Sequence, residues 1–109
     1  MASKQPVHGG SAQTKEFDVD LVAEGIRSSR GYRGPYYALA VVSVDANGSL
    51  RIEIEAANQY DWQLDARIIG GSLDISRIFC EGDSVHGADV PDWVERVAGV
   101  VGERLEGDR

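Results

Sequence analysis

Residues 36–56 read YYALAVVSVDANGSLRIEIEA, and this stretch decides the fold. Residues 36–45 form a dense apolar run. Residues 50–56 alternate strictly, with Leu50, Ile52, Ile54 and Ala56 on one face and Arg51, Glu53 and Glu55 on the other. Asn47-Gly48 lies between the two runs, and both residues tolerate the positive φ that a type I′ turn requires. The pattern predicts an antiparallel hairpin whose second strand is apolar inside and charged outside. The first strand is apolar on both faces, with Tyr36, Ala38, Ala40, Val42 and Val44 on one and Tyr37, Leu39 and Val41 on the other. Such a strand is expected at the centre of a sheet or under cover on both sides.

Working towards the C-terminus, residues 62–69 predict a third strand with Trp62, Leu64, Ala66 and Ile68 on one face. Gly70-Gly71-Ser72 marks a second tight turn, because consecutive glycines supply positive φ without steric cost. Residues 73–80 predict a fourth strand, alternating through Leu73, Ile75, Arg77 and Phe79. Residues 81–90 read as a polar loop. Residues 91–106 predict a helix: Pro91 suits its start, Asp92 and Glu95 complement the positive end of its dipole, and Gly107 ends it. Trp93, Val94, Val97, Val100, Val101 and Leu105 give it a broad apolar stripe.

The N-terminal third is less decisive. Residues 1–15 are rich in Gly, Ser, Gln and Lys and predict a flexible tail preceding a single domain at 16–109. Phe17, Val19 and Leu21 alternate with Asp18 and Asp20, as in a strand. Val19, Val22, Ala23 and Ile26 recur at helical spacing, and the reading favoured here is a short helix over residues 18–29 with Asp18 as its cap. Gly31 to Pro35 then breaks regular structure. The expected class is α+β, a four-stranded antiparallel meander packed by a C-terminal helix.

The chain has 109 residues, a length suited to one domain. Its 42% hydrophobic and 27% charged residues are ordinary for a soluble protein. No apolar run approaches the ~20 residues that span a bilayer, and residues 1–15 lack a signal core. The single cysteine, Cys80, cannot form an internal disulfide, which fits a reducing compartment. A cytoplasmic protein without membrane association is expected. The net charge of −7 is uneven: residues 1–40 carry five Lys or Arg against four acids, residues 41–109 six Arg against fourteen acids. An acidic body disfavours general nucleic-acid binding; its plainer reading is solubility, and its sharper one a surface that attracts a basic partner.

Four sites are candidates. Arg27, Arg30 and Arg33, with Tyr32, combine guanidinium forks with an aromatic face, a set able to hold phosphate or nucleic acid; the plainer reading is a cationic helix end followed by a turn. The connection Asn58-Gln59-Tyr60-Asp61-Trp62 holds residue types that anchor interfaces, although the same residues suit an ordinary β-connection. Cys80, His86 and the surrounding acids suggest zinc or a nucleophilic thiol only weakly. Zinc wants four ligands in paired spacing, and the acids oppose a thiolate. The acidic loop also lacks the twelve-residue calcium pattern. Arg51, Glu53 and Glu55 form a charged strand face, solvated in the plain reading. No nucleophile elbow, Walker A loop or dinucleotide fingerprint is present.

These residues lead to one expectation: a small acidic, non-enzymatic binding domain of the inhibitor, immunity or adaptor kind, needing no cofactor or metal. Tyr60, Asp61, Glu53, Glu55 and Asp83 would contact a basic protein partner. The first alternative is nucleic-acid or phospholigand binding through Arg27, Arg30 and Arg33. The second is a ligand binder or enzyme with a pocket between sheet and helix.

Overall fold

The computed structural model describes residues 13–25 and 34–107. Six strands form one antiparallel sheet in which spatial order follows chain order. They are β1 (Gln13–Asp20), β2 (Tyr37–Val44), β3 (Ser49–Glu55), β4 (Trp62–Ile69), β5 (Ser72–Cys80) and β6 (Asp83–Ser84). Helix α1 (Asp92–Gly107) crosses one face. The class is α+β, as expected, with six strands where four were expected.

The extra strands arise at the two uncertain places. Residues 18–20, read as the start of a helix, end β1 instead, paired with β2 from Gln13↔Val44 to Asp20↔Tyr37. That pairing buries Val19, which local helical spacing alone could not do. A single helical turn follows, capped by Asp20 rather than Asp18: the Ala23 amide donates to Asp20 Oδ1 at 3.1 Å. The remainder of the expected helix, residues 26–29, lies outside the described residues. Because β1 starts at Gln13, residues 13–15 of the expected tail belong to the sheet; residues 1–12 lie outside the described residues. At the other edge, β6 is two residues long, too short to leave a pattern in the sequence.

The Gly70-Gly71 turn is as expected, and the Asn47-Gly48 turn differs in type. At the first hairpin only Gly48 has positive φ, at 84°. The Gly48 amide donates to the Asp45 carbonyl at 3.1 Å, and the Ser49 carbonyl accepts from Asp45 N–H at 3.0 Å. This is the longer loop in which an ordinary turn ends in one left-handed glycine, not type I′. Asp45 stabilises it, its Oδ1 accepting from the amides of Asn47 at 2.8 Å and Ser49 at 3.0 Å. Two-residue turns with positive φ at both positions occur at Gly70-Gly71 (61° and 85°) and at Glu81-Gly82 (52° and 88°).

One side of the sheet and α1 enclose the core. Ile52, Ile54, Leu64, Val42, Val94, Val97 and Val101 are all under 2% exposed, and among the described residues no polar one is buried with them. At the far end of the helix, Arg104 donates to the Asp18 carbonyl at 3.0 Å and lies over the Phe17 ring at 6.0 Å. In β5 the expected alternation fails. Asp65 pairs with Arg77 but Ala66 pairs with Ile75, so Ser76 is an extra residue. This bulge turns Ile78 and Cys80 to the helix side, opposite Leu64 and Trp62, and sends Arg77 and Phe79 to the other face.

Candidate functional site

The sheet face opposite α1 carries the candidate site. No described element covers it. β2 is an interior strand, one of the two arrangements expected for it, and its outward residues are open: Tyr37 is 68% exposed, and Leu39 and Val41 are half-buried. The register shows what surrounds them. Leu39 stands between Asp18 on β1 and Glu55 on β3. Val41 stands between Glu16 and Glu53, and Tyr37 stands beside Asp20. Strand alternation puts all of these side chains on one face. The result is an apolar column flanked on both sides by carboxylates.

The column leads into a hollow of about 230 Å³ lined by Glu53, Glu55, Asp61, Glu81 and Phe79. Its geometry comes from the turn at Glu81. Left-handed backbone is costly for a residue with a Cβ, and two hydrogen bonds hold Glu81 there. The Glu81 amide donates to the Asp61 carbonyl at 2.9 Å, and Glu81 Oε2 accepts from the Asp61 amide at 2.7 Å. A carboxylate that satisfies a backbone donor is thereby fixed at the rim.

The opposite end of the same face is mixed in charge. Arg51, Arg67 and Arg77 border a broader concavity of about 660 Å³ together with Asp45, Glu53 and Asp65, with Arg51 Nε 3.8 Å from Asp65 Oδ1. The face therefore has an acidic half and a half in which both signs alternate. Separations of one strand spacing make the carboxylates of the acidic half additive at range, while exposure keeps any one pair weak.

The expected contacts fall as follows. Glu53, Glu55 and Asp61 meet at the acidic hollow. Tyr60, 70% exposed, belongs to the connection that supplies Asp61. Asp83 does not join them: it pairs with Cys80, whose side chain is on the helix side. Arg27, Arg30, Arg33 and Tyr32 lie outside the described residues. Sequence reasoning missed Glu16, Asp18 and Asp20 because it read the start of this segment as helix. The signal was present in the alternation of Phe17, Val19 and Leu21 with the two aspartates.

Cys80 is a free, half-buried thiol. Partial burial pushes its pKa above the usual value, and the negative charges of Glu81, Asp83 and Asp61 add to the shift. Among the described residues, no group of three His, Cys, Asp or Glu side chains could hold a metal ion. No helix among them is long and apolar enough to cross a membrane. Comparison with protein-family models, curated proteins and solved structures finds no match.

Proposed function

We propose that this chain is a non-enzymatic binding domain that applies the acidic half of its open sheet face to a basic protein partner. The observation supporting this reading is the apolar column of Tyr37, Leu39 and Val41 set between Glu16, Asp18, Glu53 and Glu55. The apolar side chains offer area to be dehydrated, and the flanking carboxylates select Lys or Arg and speed encounter. Tyr60 and Asp61 extend the contact at the rim. A ligand pocket between sheet and helix is the weaker reading, because Ile52, Leu64, Val97 and Val101 fill the centre of that space and leave only an open groove along the β5 edge.

The test compares the wild-type chain with Glu53→Lys/Glu55→Lys in affinity capture from nuclease-treated lysate of the native cell, with thermal melts run in parallel. Both residues are exposed, so the melts should agree within a few degrees. The reading expects captured proteins of basic composition that the double variant loses. If capture is unchanged by the double variant, the acidic face is not the site. If nucleic acid is retained without nuclease at ~150 mM salt and Arg30→Glu releases it, the arginine segment is the site instead.

A further inference from the structure

We propose a second docking surface, on the opposite side of the molecule: the free edge of β5 accepts an extended, basic peptide strand whose apolar side chains enter the groove between β5 and α1. Three observations meet there. The first is the backbone. β6 pairs only with Phe79 and Cys80, and Val85 N–H donates to the Ile78 carbonyl. Upstream of these, residues 72–77 have no strand partner on the side away from β4 among the described residues. In an antiparallel ladder alternate residues of an edge strand direct both N–H and C=O outward. The bulge at Ser76 breaks the row, which leaves residues 72–75 as the receptive stretch.

The second observation is the groove itself, about 390 Å³, running directly beside that stretch. Leu73 and Ile75 form its strand wall, and Ala98, Gly99 and Gly102 form its helix wall. It narrows at Gly102, where a Cβ would stand 3.3 Å from Leu73 Cβ, and opens at Gly99, where a Cβ would meet nothing within 4 Å. Ile75 is left 37% exposed by this gap. A strand paired to residues 72–75 would place every second side chain over the groove, since side chains alternate across a pleated strand.

The third observation is charge, which selects the occupant. Glu95 and Glu103 line the groove. A second copy of this chain, with net charge −7, would bring its own Glu95 and Glu103 to the same place. A strand that alternates apolar residues with Lys or Arg fits both the groove and its rim.

The probe is a capped octapeptide alternating valine and lysine, titrated into the ¹⁵N-labelled full chain at low salt. The proposal expects saturable shifts at residues 72–75 and 98–102. It expects binding about tenfold weaker for the peptide N-methylated at alternate residues, which removes backbone donors but keeps every charge. Gly99→Leu fills the open end without meeting another atom at its Cβ, so it should fold and should bind about tenfold more weakly. Equal binding of the methylated peptide, or shifts confined to Glu53, Glu55 and their neighbours, would mean simple charge attraction and overturn the proposal. So would sedimentation showing that the same residues mediate a dimer without peptide. The acidic sheet face would stand or fall separately, through the Glu53 and Glu55 variants.

Discussion

Gly48 shows how much conformational work one residue does. Its φ of 84° is available to glycine and costly to a β-branched residue. A Cβ there would meet nothing within 4 Å, so the cost of substitution is purely backbone. Gly48→Val should lose about 1–2 kcal/mol in urea unfolding, the ordinary penalty of a left-handed residue. Asn47→Ala should lose clearly less, because Asn47 is not among the positive-φ residues. A type I′ turn would make both positions comparably sensitive. Asn-Gly thus located the hairpin correctly and its turn type incorrectly. The extra determinant is Asp45, whose carboxylate takes two amides and favours the longer loop. Cys80 carries the second prediction at this scale. Burial and three carboxylates disfavour its thiolate, so deprotonation requires a higher pH than for an ordinary cysteine. Alkylation by iodoacetamide should therefore have a pH midpoint above that of a cysteine peptide. Asp83→Asn removes one negative charge, so it should move that midpoint down and speed alkylation at fixed pH.

Among the elements, α1 was the most legible, because its stripe of Trp93, Val94, Val97 and Val101 could serve only one purpose and all four are buried. Val97→Asp would bury an unpaired charge against the sheet and should cost more than about 4 kcal/mol, enough to abolish a cooperative melt. Gly99→Ala, on the exposed side of the same helix, should instead raise stability by up to about 1 kcal/mol. The strands were legible wherever alternation persisted, as in β3. They misled where tertiary pairing overrode local pattern. A bulge leaves the residue types of β5 unchanged while exchanging their faces, so Arg77 and Phe79 ended outside. The double-sided apolar character of β2 pointed to a central strand or to cover on both sides. The first holds, and the outer column is left open and apolar. The candidate site was half legible for this reason: Glu53 and Glu55 follow from alternation in β3, whereas Glu16 and Asp18 enter only when β1 is known to lie beside β2.

For the molecule as a whole, both ends of the described chain contribute to one core. β1 supplies Val19, and α1 returns across the sheet to join it, with Arg104 reaching the Asp18 carbonyl. Shortening the chain should therefore be tolerated to a sharp limit. A protein beginning at Gln13 retains all of β1. One beginning at Glu16 loses the pairings of Gln13, Thr14 and Lys15 with β2. The first should melt within a few degrees of the full chain, and the second should melt measurably lower in the same calorimetric scan. Equal melting would show that those three pairings contribute nothing to stability.

The order of the strands has a consequence for biosynthesis. In a meander each strand meets its neighbour as soon as both have been made, so the sheet can assemble progressively while the ribosome is still translating. Its cover cannot, since α1 follows all six strands in the chain. Throughout that interval Ile52, Ile54 and Leu64 face water on a finished but bare surface. The nascent chain is most prone to aggregation after the sheet has been made and before α1 emerges, and release of that sixteen-residue helix, rather than pairing of any strand, completes the protection of this face.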